Sequence, residues 1–176
     1  FGYFDSKLMS WIAICFMILS TLPFVSYIQF LRGRRQTLLM DSQVRTYLIL
    51  CVAAVATLAL VNSDTTSFTD TAFNAISILS GTGYATADYG SWGNISVSIF
   101  FALMFLGGCA GSTACGLKIF RVQVAFLTCW RYIQQLAVPN AIFILRYNGR
   151  KLSDAVAQSV TAFILVFFAS YIILSL

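Results

Sequence analysis

The sequence predicts an all-α integral membrane protein in which one helical unit carries a re-entrant loop and a broken second helix. Hydrophobic residues make up 59% of the 176 residues and charged residues 10%, whereas soluble domains carry about 25% charged residues. The mean hydropathy is +0.84, and several apolar runs approach the roughly 20 residues that cross a bilayer. Glycine-rich stretches follow one short amphipathic segment and interrupt a later apolar one.

The composition argues against an enzyme. The chain has no His and no Glu, which removes most general acid–base and metal chemistry. The net charge of +5 needs no nucleic acid partner, because membrane proteins collect basic residues in their cytoplasmic loops. The five cysteines are odd in number and form no CxxC pair, so we interpret them as small packing residues.

The first apolar run, residues 8–31, predicts a crossing that Pro23 kinks. It ends in the basic cluster 32–35, which predicts a cytoplasmic end and places residues 1–7 outside. Residues 46–61 predict the second crossing, from inside to outside. Of the 11 basic residues, this topology leaves Lys7 alone on the outer side.

Residues 67–79 predict a short helix that begins near Thr66 or Ser67, with Asp70 in its first turn. At 1.5 Å per residue it would be about 20 Å long, so it enters the bilayer without crossing it. Its electronegative C-terminal end would then point at the membrane interior, which suits a cation.

A glycine-rich loop follows this short helix and would return toward the outside. A Thr-Gly-Tyr stretch in that setting is typical of a potassium filter, in which backbone carbonyls replace the water shell of the ion. The candidate ion-binding residues are Ser80, Gly81, Thr82, Gly83 and Tyr84.

Residues 94–121 would be about 42 Å long as one helix, more than the roughly 30 Å hydrocarbon core. Ten small residues in its middle predict either a loop beneath the filter or a helical packing face of the GxxxG kind. The candidate gate-loop residues are Gly107, Gly108, Cys109, Ala110, Gly111, Ser112, Thr113, Ala114, Cys115 and Gly116. Lys118 and Arg121 follow on the predicted cytoplasmic side.

The remainder predicts an amphipathic segment at the inner interface that Pro139 ends, then a cytoplasmic hairpin turning at Asn148–Gly149, the strongest two-residue turn signal. Residues 154–176 predict the last crossing, with Ser153 or Asp154 as the cap of its helix. We therefore divide the chain into segments 1–45, 46–122, 123–153 and 154–176.

Residues 80–88, together with the glycine-rich break and the two basic residues after it, resemble the Trk/Ktr superfamily of potassium transporters, most closely its TrkH/TrkG-type membrane subunit. The resemblance covers essentially the whole chain. It implies four helix–pore loop–helix repeats in one polypeptide, arranged as a potassium-channel-like pseudo-tetramer. Residues 46–121 would be the third repeat, between the last helix of the second repeat and the first helix of the fourth.

The resemblance also implies potassium uptake across the bacterial inner membrane, with potassium at Thr82 and Gly83 and the gate just beneath. Lys118 and Arg121 would anchor the lower half-helix at the interface or take part in gating. The implied partners are a cytoplasmic nucleotide-binding regulatory subunit of the TrkA type, with the hairpin as a candidate contact, and a second copy in a homodimer.

The sequence departs from a potassium-channel filter, since Thr82-Gly83-Tyr84-Ala85 is a degenerate form that implies looser selectivity. It also supplies one of the four pore loops that would surround the filter, and the other three pore loops are absent from these residues. Two other interpretations stay open: a secondary transporter with discontinuous helices and a midplane substrate site, and a non-conducting membrane scaffold.

Overall fold

A computed structural model describes residues 2–3, 6–33, 40–63, 66–138 and 144–175. Its helices in chain order are α1 (Lys7–Ser20), α2 (Phe24–Leu31), α3 (Ser42–Val61), α4 (Phe68–Ser80), α5 (Asn94–Phe105), α6 (Ile119–Ala137) and α7 (Asp154–Ser175). A 3₁₀ turn spans Tyr89–Ser91, and strands β1 (Arg146–Tyr147) and β2 (Arg150–Lys151) pair with each other. The predicted all-α class is confirmed for these residues.

The chain forms two compact units, residues 1–119 and 120–176. This boundary lies close to the predicted one after residue 122, while the functional division into four segments stays a prediction. Some predicted features lie outside the described residues, namely the basic residues Arg34 and Arg35 and the helix-ending Pro139.

Among the described residues, two helices are long and apolar enough to cross a membrane, α3 and α7, and a third span results if α1 and α2 count as one. The predicted kink in residues 8–31 is in fact a break, because α1 and α2 meet at 95°. Pro23 starts α2 with φ −66° and ψ 127°, and its ring leaves no N–H to continue the hydrogen bonds of α1.

The second crossing begins earlier than predicted. α3 starts at Ser42 and not at residue 46, because Asp41 caps it by accepting a 2.9 Å hydrogen bond from the Gln43 N–H. A side-chain carboxylate at this position satisfies a helix N–H that has no partner within the helix. The helix is therefore 20 residues long, which is enough to span a hydrocarbon core.

The short helix α4 is the centre of the first unit. It has 13 residues, lies within one residue of its predicted bounds and has Ser67 at its cap position. It packs against α1, α3 and α5, and both its apolar Phe73 and Leu79 and its polar Asn74 and Ser77 are fully buried. α4 is therefore surrounded by protein on most of its circumference.

The predicted long helix 94–121 is interrupted where the glycines cluster. α5 ends at Phe105 and α6 begins at Ile119, so a helical GxxxG packing face is ruled out. Backbone hydrogen bonds close the base of the intervening loop: Gly107 N–H to Leu117 O at 2.9 Å and Leu117 N–H to Phe105 O at 3.0 Å. We call residues 106–118 the intramembrane loop.

The second unit confirms the predicted hairpin. Asn148 and Gly149 both have positive φ, 46° and 76°, the combination that a tight two-residue hairpin turn requires. The Tyr147 hydroxyl donates a 2.7 Å hydrogen bond to Gln123 of α6. Ser153 is the cap of α7, where its hydroxyl accepts from the Val156 N–H at 3.4 Å.

An ion pair also ties α6 to α7 in this unit. Arg131 donates to Asp154 at 2.6 Å, and this hydrogen bond raises the pKa of the Arg131 guanidinium above its ordinary value. Arg131 and Asp154 therefore link the two helices of this unit.

Gly107→Ala should destabilise the fold more than Gly111→Ala. A Cβ on Gly107 would lie 2.1 Å from the Cys115 carbonyl oxygen, so the base of the loop must shift. At Gly111 nothing lies within 4 Å of an added Cβ. The cost of Gly111→Ala is therefore the backbone strain of an alanine at φ 78°, which is about 1–2 kcal/mol. Thermal unfolding of the purified full-length variants in detergent tests this, and equal melting temperatures would contradict it.

Candidate functional site

The end of α4 builds the first part of the candidate site. Gly81 terminates the helix in the left-handed region, φ 74°, and its N–H donates to Ile78 O at 3.0 Å. The next two amides, of Thr82 and Gly83, both donate to Ser77 O, at 3.0 and 3.3 Å. The chain therefore folds back over the helix terminus as soon as the helix stops.

The backbone of this loop alternates in handedness. Gly81 and Gly83 have φ of 74° and 77°, while Thr82 and Tyr84 are not among the residues with positive φ. The Thr82 hydroxyl lies 2.7 Å from the hydroxyl of the buried Ser80. Residues 81–85 are exposed on this unit.

Asn74 holds the returning segment, and sequence reasoning missed it. Its side-chain oxygen accepts from the Thr86 N–H at 3.2 Å, and its side-chain nitrogen donates to Thr86 Oγ1 at 3.2 Å and to Asp70 O at 2.9 Å. An amide offers a donor and an acceptor on one rigid group, so a single side chain fixes both groups of Thr86. The available signal was an Asn in the middle of an otherwise mostly apolar helix, where its propensity is poor.

The intramembrane loop is seated in the break between α1 and α2. The Cys109 N–H donates to Thr21 O at 2.9 Å, the Phe24 N–H donates to Gly111 O at 3.0 Å, and the Thr113 hydroxyl donates to Ser20 O at 3.0 Å. A break at membrane depth leaves backbone groups that must be satisfied by protein. The two irregular segments satisfy each other.

Two side chains also hold the loop. From α3, Gln43 Oε1 accepts the Ala110 N–H at 2.8 Å. From within the loop, the Lys118 ammonium donates to Ser112 O at 3.2 Å and to Ala114 O. Lys118 therefore binds loop carbonyls, in addition to any contact it makes at the interface.

The structure brings the predicted filter and the predicted gate loop together. A Cβ built on Gly81 would lie 3.3 Å from the Cys115 backbone nitrogen and 3.5 Å from its Cβ. The turn that ends α4 therefore lies close to the C-terminal part of the intramembrane loop. Arg121 belongs to the second unit, where its guanidinium lies 3.6 Å from the centre of the Phe163 ring.

The five cysteines differ in their burial. All five cysteines are free, as predicted, but Cys51 and Cys109 are buried whereas Cys15, Cys115 and Cys129 are exposed. The packing interpretation therefore holds for two of them. Among the described residues, no group of three or more His, Cys, Asp or Glu side chains is placed to hold a metal ion.

A helix that stops inside the fold, followed by a folded-back glycine loop and a broken helix, is the architecture of a helical membrane protein with irregular backbone between its spans. A family model described as "TrkH: Cation transport protein" matches residues 1–176. The chain belongs to the TrkH family.

Individual relatives agree with this assignment. The chain is 41% identical over 172 residues to the Trk system potassium uptake protein TrkI of Halomonas elongata, covering 95% of this chain and 35% of that protein. It is 30% identical over 173 residues to TrkG of Escherichia coli K12, covering 94% of this chain and 36% of that protein. The chain thus spans about a third of the length of these curated relatives.

A solved structure is similar over nearly the whole chain. The crystal structure of the potassium transporter TrkH from Vibrio parahaemolyticus matches with a TM-score of 0.89 at 25% identity, covering 98% of this chain and 39% of that one. This match confirms the predicted all-α membrane fold class. It supports the resemblance as stated, a fragment of a TrkH/TrkG-type subunit.

Asn74→Ala should loosen residues 82–88. The substitution removes both bonds to Thr86 and leaves its partly buried N–H without that partner, which costs up to about 1–3 kcal/mol. Thr86→Val is the matched control, because it removes the side-chain bond and keeps the backbone one. Hydrogen exchange of the full-length protein should show faster exchange in residues 82–88 for Asn74→Ala than for Thr86→Val. Unchanged protection in Asn74→Ala would refute the role.

Proposed function

We propose that this chain is part of a transporter for potassium uptake across the bacterial inner membrane, with a carbonyl-lined filter gated by the intramembrane loop. The observation that carries the proposal is the alternating backbone of residues 81–84 at the tip of a short buried helix. Alternating handedness turns successive peptide groups the same way, and a row of carbonyls is what a dehydrated potassium ion needs.

The electrostatics of α4 favour the same cargo. The helix presents its C-terminal end to the loop, and that end carries roughly half a negative charge. The described part of the loop from Ser80 to Tyr84 holds no charged side chain. Carbonyl and helix dipoles, without a full carboxylate, attract a monovalent cation and still allow it to leave.

Thr82 and Gly83 are the proposed potassium ligands through their backbone carbonyls, with Ser80, Gly81 and Tyr84 beside them. One such loop supplies one side of an ion site. The three remaining sides would come from the other repeats of the full-length polypeptide, consistent with a chain that covers 35% of TrkI.

The intramembrane loop is proposed to be the gate. It lies close to the filter, since a Cβ built on Gly81 would be 3.3 Å from the Cys115 backbone nitrogen. It lies in no helix, and Gly111 and Gly116 have φ of 78° and 81°. A segment without regular structure can exchange its hydrogen-bond partners one at a time, as a gate requires. Lys118 would keep the loop compact through its bonds to Ser112 and Ala114.

The relatives also guide the proposed assembly. Their names place them in Trk uptake systems, so we propose a cytoplasmic nucleotide-binding regulatory subunit and a homodimer of the full-length protein. The hairpin is the proposed contact for the regulatory subunit, since Arg146 and Lys151 lie opposite each other on it and give it a basic character.

Gly83→Ser in the full-length protein should reduce potassium uptake about tenfold or more, or reduce discrimination against sodium by a similar factor. A side chain at φ 77° is strained, and relief of that strain moves the neighbouring carbonyls. Gly93→Ser is the matched control, because Gly93 also has positive φ and open space but lies in the turn before α5. Rubidium uptake with and without competing sodium measures both effects.

Wild-type uptake and selectivity in Gly83→Ser would overturn the filter assignment. An equal loss in Gly93→Ser would show that any strained glycine has this effect, and the filter would lose its support.

Deletion of residues 110–113 should raise potassium flux per molecule in the membrane. These residues include the loop's contacts with Gln43, Phe24 and Ser20, so the shortened loop is both smaller and unseated. Flux into proteoliposomes, normalised to protein content, measures the change. A deletion variant that folds and conducts like the parent would leave the loop as packing alone.

A further inference from the structure

The contacts that seat the intramembrane loop are of two kinds. Those in the break between α1 and α2 involve backbone groups of Ser20, Thr21 and Phe24, which remain in place as long as those helices do. The contact from α3 uses the side-chain oxygen of Gln43. A side chain can release its partner by changing rotamer, whereas a backbone group must move its helix.

The backbone of Gln43 is fixed by a hydrogen bond. Its N–H donates to the Asp41 carboxylate at 2.9 Å, which fixes the first turn of α3. Its half-buried side chain then reaches the Ala110 N–H at 2.8 Å. Ala110 lies between Cys109 and Gly111, whose backbone groups bond to the helix break. Three consecutive residues of the loop are therefore fixed from two different directions.

We propose that Gln43 is a positioning residue of the gate: its side-chain oxygen holds the Ala110 N–H and keeps the intramembrane loop in the closed position. The inference rests on the proposed function of the loop. Gln43 has no contact with the ion in this role and acts through the loop alone.

Opening would then require Ala110 to exchange this bond for another partner. A single hydrogen bond shifts such an equilibrium by about three- to tenfold. The first turn of α3 follows directly on the segment that connects it to α2, so a displacement of that turn would pull on Ala110. Gln43 thus couples the start of a membrane-spanning helix to the gate.

The test uses Gln43→Met in the full-length transporter. Methionine matches glutamine in length and apolar packing but offers a weak acceptor. Two variants serve as controls. Gln43→Glu keeps an acceptor oxygen at the same position. Gln29→Met makes the same exchange on α2, at a residue that does not hold the loop. Rubidium uptake per molecule in the membrane is measured for each variant, together with competition by sodium.

Gln43→Met should raise uptake about three- to tenfold with unchanged discrimination between potassium and sodium, because the filter contacts remain. Gln43→Glu should not raise uptake, because a carboxylate accepts the Ala110 N–H at least as strongly as the amide does, and Gln29→Met should stay within about twofold of the parent. If Gln43→Met fails to reach the membrane, Gln43→Asn, which withdraws the acceptor by one methylene, should show the same rise.

The proposal for Gln43 is overturned if Gln43→Met and Gln43→Asn take up rubidium at the same rate as the parent. It is also overturned if Gln43→Glu shows the same rise as Gln43→Met. The deletion of residues 110–113 separates this failure from that of the gate. If the deletion raises flux and Gln43→Met does not, the loop is a gate that Gln43 does not hold. If the deletion leaves flux unchanged, the gate and the inference fail together.

Discussion

A peptide group inside a bilayer must find its hydrogen-bond partner in protein, and the first unit depends on that constraint. Helices meet it within themselves, but two of the irregular segments in this unit, Thr21–Pro23 and residues 106–118, interrupt stretches that the sequence predicts as helical. Each irregular segment supplies the partners that the other lacks, through Thr21, Phe24, Cys109 and Gly111. Irregular backbone is tolerated at this depth because it is buried against more irregular backbone.

The same constraint explains the polar interior of α4. A helix that ends inside the fold exposes its last carbonyls to surroundings that contain little water. The chain meets this by folding straight back, so that the Thr82 and Gly83 amides bind Ser77 O. Asn74 then fixes the returning segment through Thr86. The loop proposed to bind potassium is therefore held at both ends before any ion arrives.

Much of the fold could be predicted from local composition. The bounds of α4 and the turn at Asn148–Gly149 depend on nearby residues, through helix length, capping and turn chemistry, and these were predicted to within a residue. The glycines at 107–116 indicated a break but left a packed helix as an alternative, because small residues serve both purposes.

The contacts between distant segments could not be predicted in this way. Nothing near Gln43 marks it as a partner of Ala110, which is 67 residues away. The predicted start of α3 was wrong for a local reason, since Asp41 caps the helix two residues before Gln43. Pro23 was expected to kink a helix, yet a 95° bend needs an external partner for the freed groups. The candidate site is held together by such long-range pairs, whereas the proposed filter residues, 80–84, form one continuous stretch of sequence.

The pairing of the two breaks has a consequence for biosynthesis. Ser20 is made 93 residues before the Thr113 that binds its carbonyl. At about 5–20 residues per second, the ribosome needs roughly 5 to 20 seconds to cover that distance. During this interval the intramembrane loop, whose groups bond to the bend between α1 and α2, has not yet been synthesised. The nascent chain must keep those carbonyls near water or against the insertion machinery, so the bend is completed late, after α3, α4 and α5 have been made.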